Sequence, residues 1–317
     1  MHLAVLIPVY NNGSTIAELV ARVISAAQEC SGGLDIWCVD DGSADDSWEQ
    51  LCAMALTESR LKLLRLSRNF GQHAAIAAAL EHARADVYVL MDADLQDVPE
   101  EIPILVTTLT SEQVDVVYTR KTGTVSDGLV QGLTSNLFHR VVARESAGVA
   151  IPAIGTFRVF SDEIACALRG FGESSVVYGP LMQSIGFRWV VVPVVRSLRP
   201  EGRSSYTFSK RLDLAIQSLV SYSRIPQRVF FGIGIATMSF CLLYGLAVLI
   251  QYWLFGAQMP PGITLMLVLG ISMMGMIMAA VGVVAAYLFA IHREVLARPR
   301  YLVWKRVNLE RTHDNER

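Results

Sequence analysis

Residues 87–103 read VYVLMDADLQDVPEEIP. A short apolar run rich in β-branched residues has the composition of a buried strand, yet it stops on two carboxylates one residue apart, Asp92 and Asp94. Such an ending is either a solvated turn or part of a metal site, and the surrounding pattern bears on which. Strand-like and helix-like stretches alternate on both sides of it. LAVLIPVY (3–10), LDIWCVD (34–40), LKLLRLS (61–67) and VDVVYTR (114–120) read as strands. STIAELVARVISAAQEC (14–30), DDSWEQLCAMALTE (45–58), GQHAAIAAALEHA (71–83) and PEEIPILVTTLT (99–110) read as helices, the first with Ser14 or Thr15 as a candidate cap. Alternation of this kind predicts an α/β fold, Rossmann-like, with a mostly parallel sheet covered by helices on both faces. In such sheets ligands bind beyond the carboxyl ends of the strands. Asn11, Asn12, Asp40, Asp41, Asp92 and Asp94 all follow strands and are expected on one rim. Carboxylate oxygens suit Mg²⁺ or Mn²⁺, bound through one or two carboxylates and substrate phosphates. No GxxxxGK[ST] motif occurs, and no GxGxxG follows the first strand, so nucleoside triphosphate hydrolysis and dinucleotide binding lose their best signals.

The 317-residue chain is 52% hydrophobic with a mean hydropathy of +0.40, more apolar than an ordinary soluble protein. A formal charge of −2 argues against nucleic acid as partner. Cys30, Cys38, Cys52, Cys166 and Cys241 show no metal-ligand spacing and read as free thiols in a reducing compartment. The N-terminus, MHLAVLIPVY, lacks a basic n-region and reads as a strand rather than a signal peptide. The apolar excess sits in residues 229–255 and 263–291, both uncharged and both longer than the roughly 20 residues that span a bilayer. Arg224 and Arg228 precede them; Arg293, Arg298, Arg300, Lys305 and Arg306 follow. The positive-inside rule then predicts a hairpin of two transmembrane helices in the inner membrane, with the N-terminal domain and both termini in the cytoplasm. Small residues in both spans permit close helix packing and a homo-oligomer. Between domain and hairpin, residues 209–228 carry apolar positions at helical spacing flanked by Lys210, Arg211, Arg224 and Arg228. They read either as an amphipathic helix lying among membrane lipids or as a linker helix packed on the domain. The expected organisation is a catalytic domain over 1–208, this interfacial helix, the spans, and a cytosolic tail over 292–317.

IPVYNN, VDDGSADDS, RNFGQHAA, MDADLQDVPEEIP and a two-helix anchor ending REVLARPRYLV occur in that order. The chain thereby resembles polyisoprenyl-phosphate glycosyltransferases, the dolichol-phosphate-mannose synthase-like group of inverting family-two enzymes. Its bacterial branch transfers a sugar from a nucleotide sugar to undecaprenyl phosphate. The resemblance covers nearly the whole chain and implies a glycosyltransferase A (GT-A) fold. It implies that Pro8 and Tyr10 line a nucleoside pocket, that Asp40 contacts base or ribose, and that Asp41 and Gly42 form the pocket wall. Asn12, Asn69 and Gly71 join the donor-binding set. Asp92 lies on the donor side of the Asp-x-Asp motif, and Asp94 with Gln96 coordinates the metal bridging the diphosphate. Arg120 faces a donor or acceptor phosphate. Residues 155–158, GTFR, match an acceptor loop containing Thr156 and Arg158, and RPEGRSSYTF (199–208), with Arg203 and Ser204, matches a loop closing over the phosphates. The resemblance also implies tetrameric assembly.

Four positions depart from the family pattern. Asn12 stands where an acid is usual, Thr156 where Asp is usual, Ser205 where Lys is usual, and Ala285-Ala286-Tyr287 where Gly-Glu-Tyr is usual. Chemistry survives the change at 156, because a lipid phosphate is already largely ionised at pH 7 and needs little help from a general base. Two rivals remain. A processive polysaccharide synthase would carry more spans and a Gln-x-x-Arg-Trp motif, which QSIGFRW (183–189) does not match. A weakly active membrane scaffold draws support only from the departures. UDP-linked donors are favoured, with GDP-mannose open, and the product would serve glycan decoration or lipid A modification.

Overall fold

The computed structural model describes residues 1–28, 30, 32–122, 154–171, 178–195, 262–296 and 298–309, with scattered positions between 232 and 254. The chain divides into two units, one formed by Met1–Ser204 with Arg298–Arg317 and the other by Ser205–Ala297.

The first unit is built on one eight-stranded sheet. Its strands are β1 (His2–Val9), β2 (Gly33–Asp40), β3 (Leu61–Leu66), β4 (Val87–Leu90), β5 (Val116–Thr122), β6 (Ile154–Ser161), β7 (Trp189–Val195) and β8 (Val303–Val307). They lie in the order β7-β5-β6-β4-β1-β2-β3-β8. β1 pairs parallel with β2 and β4, and β2 with β3. β6 runs antiparallel between β4 and β5, and β8 runs antiparallel along β3. β5 and β7 also pair parallel, so the sheet is mixed with parallel pairings in the majority. The parallel expectation holds for the N-terminal half, where each strand is followed by a helix. It fails at β6 and β8, which reach the sheet by other routes.

Side chains alternate across the strands with a period of two. Leu3, Val5, Ile7 and Val9 of β1 face a core shared with α1 (Gly13–Ala27), α2 (Ser47–Ala55) and α4 (Ile102–Ser111). Ala4 and Leu6 face the opposite core, shared with α3 (Gln72–His82), α5 (Asp162–Gly170) and α6 (Tyr178–Ser184). The buried side of α3 is rich in alanine (Ala75, Ala77, Ala78, Ala79, beside Ile76 and Leu80), which lets its backbone lie close to the sheet. Each fully buried Leu, Ile or Val contributes about 1.5–3 kcal/mol relative to exposure, so β1, with five residues at 0% exposure between Leu3 and Ile7, is the best-anchored strand.

Helix α1 does not start at Ser14 or Thr15. Its cap position is Asn12, whose carbonyl accepts the amides of Thr15 and Ile16, while the Thr15 hydroxyl donates to Ala93 O at 2.8 Å. The four described cysteines Cys30, Cys38, Cys52 and Cys166 are free thiols; Cys241 lies outside the described residues.

The C-terminal segment is not a separate tail throughout 292–317, because part of it is the edge strand β8. Leu302 O accepts from Ser67 N, Tyr301 Oη donates to the Glu81 carboxylate, and Arg300 donates to Phe171 O. Asn308 Nδ2 donates to three carbonyls of the α2–β3 connection, Ala55 O (2.9 Å), Leu61 O (3.0 Å) and Glu58 O (3.3 Å). The charged β8, VWKRV, gives no strand pattern by alternation, and its basic residues carry the positive-inside reading instead.

In the second unit, Gly262–Val295 forms one 34-residue helix, α7. Among the described residues, side chains included, no helix is long and apolar enough to cross a membrane. The interfacial helix expected at 209–228 and most of the first expected span lie outside the described residues.

Candidate active site

The ends of β1, β2 and β4 meet on one rim, and direct bonds tie their loops together. Asn11, at φ +54°, donates its amide to Ser43 Oγ (3.0 Å) and accepts Ala44 N on Oδ1 (2.9 Å). Asn12 donates to Ser47 Oγ (2.9 Å) and accepts the Tyr10 amide. An asparagine at 12 thus both starts α1 and fastens it to α2. Asp45 accepts Gly13 N and the Ser47 amide and hydroxyl. Its burial opposes ionisation, but the bonds from Ser47 and Gly13 prevail and hold the carboxyl below its ordinary range.

Asp40 and Asp41 are both buried, which pushes both carboxyls above the usual range. Asp40 is fully enclosed. One oxygen accepts Ser43 N (3.1 Å) and the other meets Arg65 Nε at 3.0 Å. Arg65 also donates to Ser43 O at 3.2 Å, so one guanidinium holds both ends of the turn 40–43. Asp41 reaches the next loop, accepting Phe70 N (2.7 Å) and Gly71 N (2.8 Å). Two short amide bonds to one carboxylate fix the RNFG loop against the rim. Between them Gly42 has φ +71°, and a Cβ there would come within 2.7 Å of Arg68 C and 2.8 Å of Asn69 N. No side chain fits that approach. Tyr10 is 44% exposed on the rim. Pro8 is half-buried and Asn69 exposed.

The 92–97 loop folds on itself. Asp92 accepts Gln72 Nε2 at 2.6 Å, and its amide donates to Asp97 Oδ2. Asp94 accepts Gln96 N at 3.2 Å. Leu95 between them has φ +59° with its side chain buried, a conformation costing about 1–3 kcal/mol for a non-glycine residue. The strained turn orients the half-buried Asp94 beside Gln96. Among the described residues no group of three or more His, Cys, Asp or Glu forms a closed metal cage. The oxygen-only donors of Asp94 and Gln96 instead fit a hard cation completed by phosphate oxygens.

On the other half of the sheet, Arg120 is exposed at the end of β5, in register with Ile154 and Pro193. Residues 155–158 lie within β6 rather than forming a loop. Arg158 is buried at 6% exposure. It donates to Thr156 O (2.9 Å) and Gly155 O (3.2 Å), touches Met182 Sδ, and lies 5.8 Å from the Tyr118 ring centroid. Its burial lowers its pKa from the usual arginine value, opposed by Tyr118, Asp92 and Asp97. Thr156 therefore supplies its carbonyl to Arg158. His73 packs at 6.1 Å from the Tyr178 ring; burial and the Arg158 charge depress its pKa to about 4, keeping it neutral. Arg203, Ser204 and Ser205 lie outside the described residues.

Sequence reasoning missed Arg65, Gln72 and Asp97. Arg65 carries no motif, and Gln72 and Asp97 sit inside quoted motifs without an assigned role.

A helix-covered sheet whose parallel strands end on a carboxylate-lined rim is the architecture of GT-A glycosyltransferases. Glucosyl-3-phosphoglycerate synthase from Mycobacterium tuberculosis, solved with Mn²⁺ and UDP-glucose, shares this fold with a TM-score of 0.50 and 19% identity over 69% of this chain and 77% of that one. Residues 4–167 match Glycosyl transferase family 2; the chain belongs to that family and is a glycosyltransferase. It is 31% identical to the undecaprenyl-phosphate 4-deoxy-4-formamido-L-arabinose transferase of Klebsiella pneumoniae over 99% of this chain and 96% of that protein. It is 28% identical to an uncharacterized glycosyltransferase of Synechocystis over 96% and 95%.

Proposed function

We propose that the protein transfers a sugar, with inversion, from a UDP-linked donor to a polyprenyl phosphate at the cytoplasmic face of the membrane. The observation that carries this reading is the cross-bonded rim of β1, β2 and β4, with Tyr10 exposed, Asp94 half-buried and Asp41 bonded to the RNFG loop. Full-length similarity to undecaprenyl-phosphate sugar transferases supports the acceptor class.

In this reading Tyr10 and Pro8 hold the base, while the 40–43 turn, Asn69 and Gly71 hold the ribose and diphosphate side. Asp94 and Gln96 would hold Mg²⁺ or Mn²⁺, which supplies charge neutralisation to the departing nucleoside diphosphate. Asp92, oriented by Gln72, faces the donor. Arg120, Arg203 and Ser204 bind phosphate, arginine doing so bidentately. Arg158 fixes the backbone of residues 155–156 and brings buried positive charge to the acceptor side. The acceptor phosphate, ionised near neutral pH, attacks the anomeric carbon from the face opposite the leaving diphosphate. The C–O bond to the donor phosphate breaks, and a polyprenyl-phosphate monosaccharide and a nucleoside diphosphate result.

The same proposal covers the domains: a catalytic domain over 1–208, an interfacial helix over 209–228, spans over 229–255 and 263–291, and oligomerisation through the spans. α7 carries no charge over the 31 residues before Arg293, about 46 Å at 1.5 Å per residue, against a hydrocarbon core of roughly 30 Å. Chain on both sides of Ser205–Ala297 belongs to the catalytic unit, so any membrane crossings between them are even in number. The test is sugar transfer to undecaprenyl phosphate in detergent with a panel of UDP- and GDP-sugars, with Mg²⁺, Mn²⁺ or chelator. Metal-dependent formation of one lipid-linked monosaccharide is expected. No transfer by folded, nucleotide-binding protein overturns the acceptor reading.

A further inference from the structure

Arg65 holds both ends of the 40–43 turn, and its own position is set from above and below. Its guanidinium carbon lies 5.4 Å from the ring centroid of Trp48 in α2 and 5.4 Å from that of Trp304 in β8. Trp48 is a core residue at 4% exposure, whereas Trp304 is 61% exposed and comes from the far end of the chain. Its placement depends on an irregularity. Along the β3–β8 ladder Leu64 pairs with Arg306 and Arg65 with Lys305, but Leu66 pairs with Val303, so Trp304 is the extra residue of a bulge. Bulges recur beside functional sites, where they re-aim a side chain; here the side chain is aimed over Arg65. Asn308 then locks the strand end onto the α2–β3 connection with three bonds.

We propose that Trp304 is a positioning residue for the donor pocket. By enclosing Arg65 from the solvent side, it holds the guanidinium on Asp40 and Ser43 O, and so sets the turn 40–43 in the shape that takes a nucleoside diphosphate. Removing the indole opens Arg65 to water and frees it to swing towards Glu49, whose carboxylate lies 4.0 Å away. This role rests on the donor-site reading given above.

The experiment is a double-mutant cycle on the full chain in detergent, with UDP and GDP, each with Mn²⁺, as probes. Trp304→Ala is expected to weaken nucleotide binding by about 5- to 20-fold and raise the donor KM by a similar factor, with kcat within about 2-fold. Trp304→Phe keeps a ring over Arg65 and restores most of the affinity. Trp304→Ala adds nothing on an Arg65→Ala background. Arg306→Ala, an exposed change on the same strand, binds as wild type, and thermal midpoints show that each variant is folded. Unchanged nucleotide affinity in folded Trp304→Ala, or independent additive losses for Trp304 and Arg65, overturns the positioning role while leaving the donor reading intact. A wild-type protein that binds neither nucleotide overturns the donor reading and this role with it.

Discussion

The two halves of the sheet handle charge in opposite ways. Around β1, β2 and β3 the carboxylates hold loops: Asp40 grips Ser43 and Arg65, Asp41 grips Phe70 and Gly71, and Asp45 grips Gly13 and Ser47. At the carboxyl end of β5 and in β6 the candidate charges are arginines, one exposed at a strand end and one buried against backbone carbonyls, while Asp115 at the other end of β5 is paired with Arg188. A rim built from acids that accept backbone amides is rigid before any ligand arrives. It suits a pocket whose contents are fixed, a nucleoside diphosphate. Among the described residues at the carboxyl end of β5, the arginine half offers positive charge without carboxylates that accept backbone amides, which suits an acceptor whose phosphate must approach and leave with a lipid attached.

Changes in the two halves should therefore separate binding of donor from transfer to acceptor. The largest effect is expected at Asp94. Asp94→Ala should lower transfer by about 10³-fold, with residual activity no longer responding to Mn²⁺, measured by lipid-linked product. Arg158→Met keeps the volume and removes the charge. It should lower transfer by about 10²-fold while UDP affinity, read by calorimetry, stays at the wild-type value; a matching loss of UDP affinity would break the comparison. Gly42→Ala acts in the other half. At φ +71° and 2.7 Å from the neighbouring loop it should cost about 1–3 kcal/mol of stability and weaken UDP binding, seen as a lower thermal midpoint and a higher Kd. The smallest effect concerns His73 at the junction of the halves, facing Arg158 and Tyr178. Its folded pKa, about 4, lies below the ordinary 6.5, so the unfolded chain takes up a proton first. The stability it confers is full above pH 6.5 and is lost progressively as pH falls towards 4. Between pH 7 and 5.5 the loss should be about 1 kcal/mol, and it should vanish in His73→Asn when unfolding is compared at the two pH values.

The same division explains what was readable in the sequence. In the first half, local signals and tertiary structure agree: apolar runs end on Asn and Asp, the helices between them are amphipathic or alanine-rich, and the rim follows from parallel order. Only details of bonding escaped, because whether Asp40 faces a ligand or an arginine depends on Arg65, a residue that within LKLLRLS looks like any outward-facing strand position. In the second half the signals mislead. GTFRVFS resembles an acceptor loop, yet its β-branched and aromatic residues complete a strand between β4 and β5, with Arg158 inside. VWKRV has no clean alternation, so its membership in the sheet comes from pairing with Leu63–Leu66 and from Asn308, contacts separated by more than two hundred residues.

Strand β8 also imposes an order of events during synthesis. Ribosomes add roughly 5–20 residues per second, so the edge of β3 stands open while Ser205–Ala297 is translated, several seconds in which its unpaired amides and carbonyls can template aggregation. Among the described strands, the last to emerge is the one that closes that edge. A nascent chain halted before Val303 would therefore present an unfinished domain to chaperones and proteases, and quality control could distinguish complete from truncated copies by that edge alone.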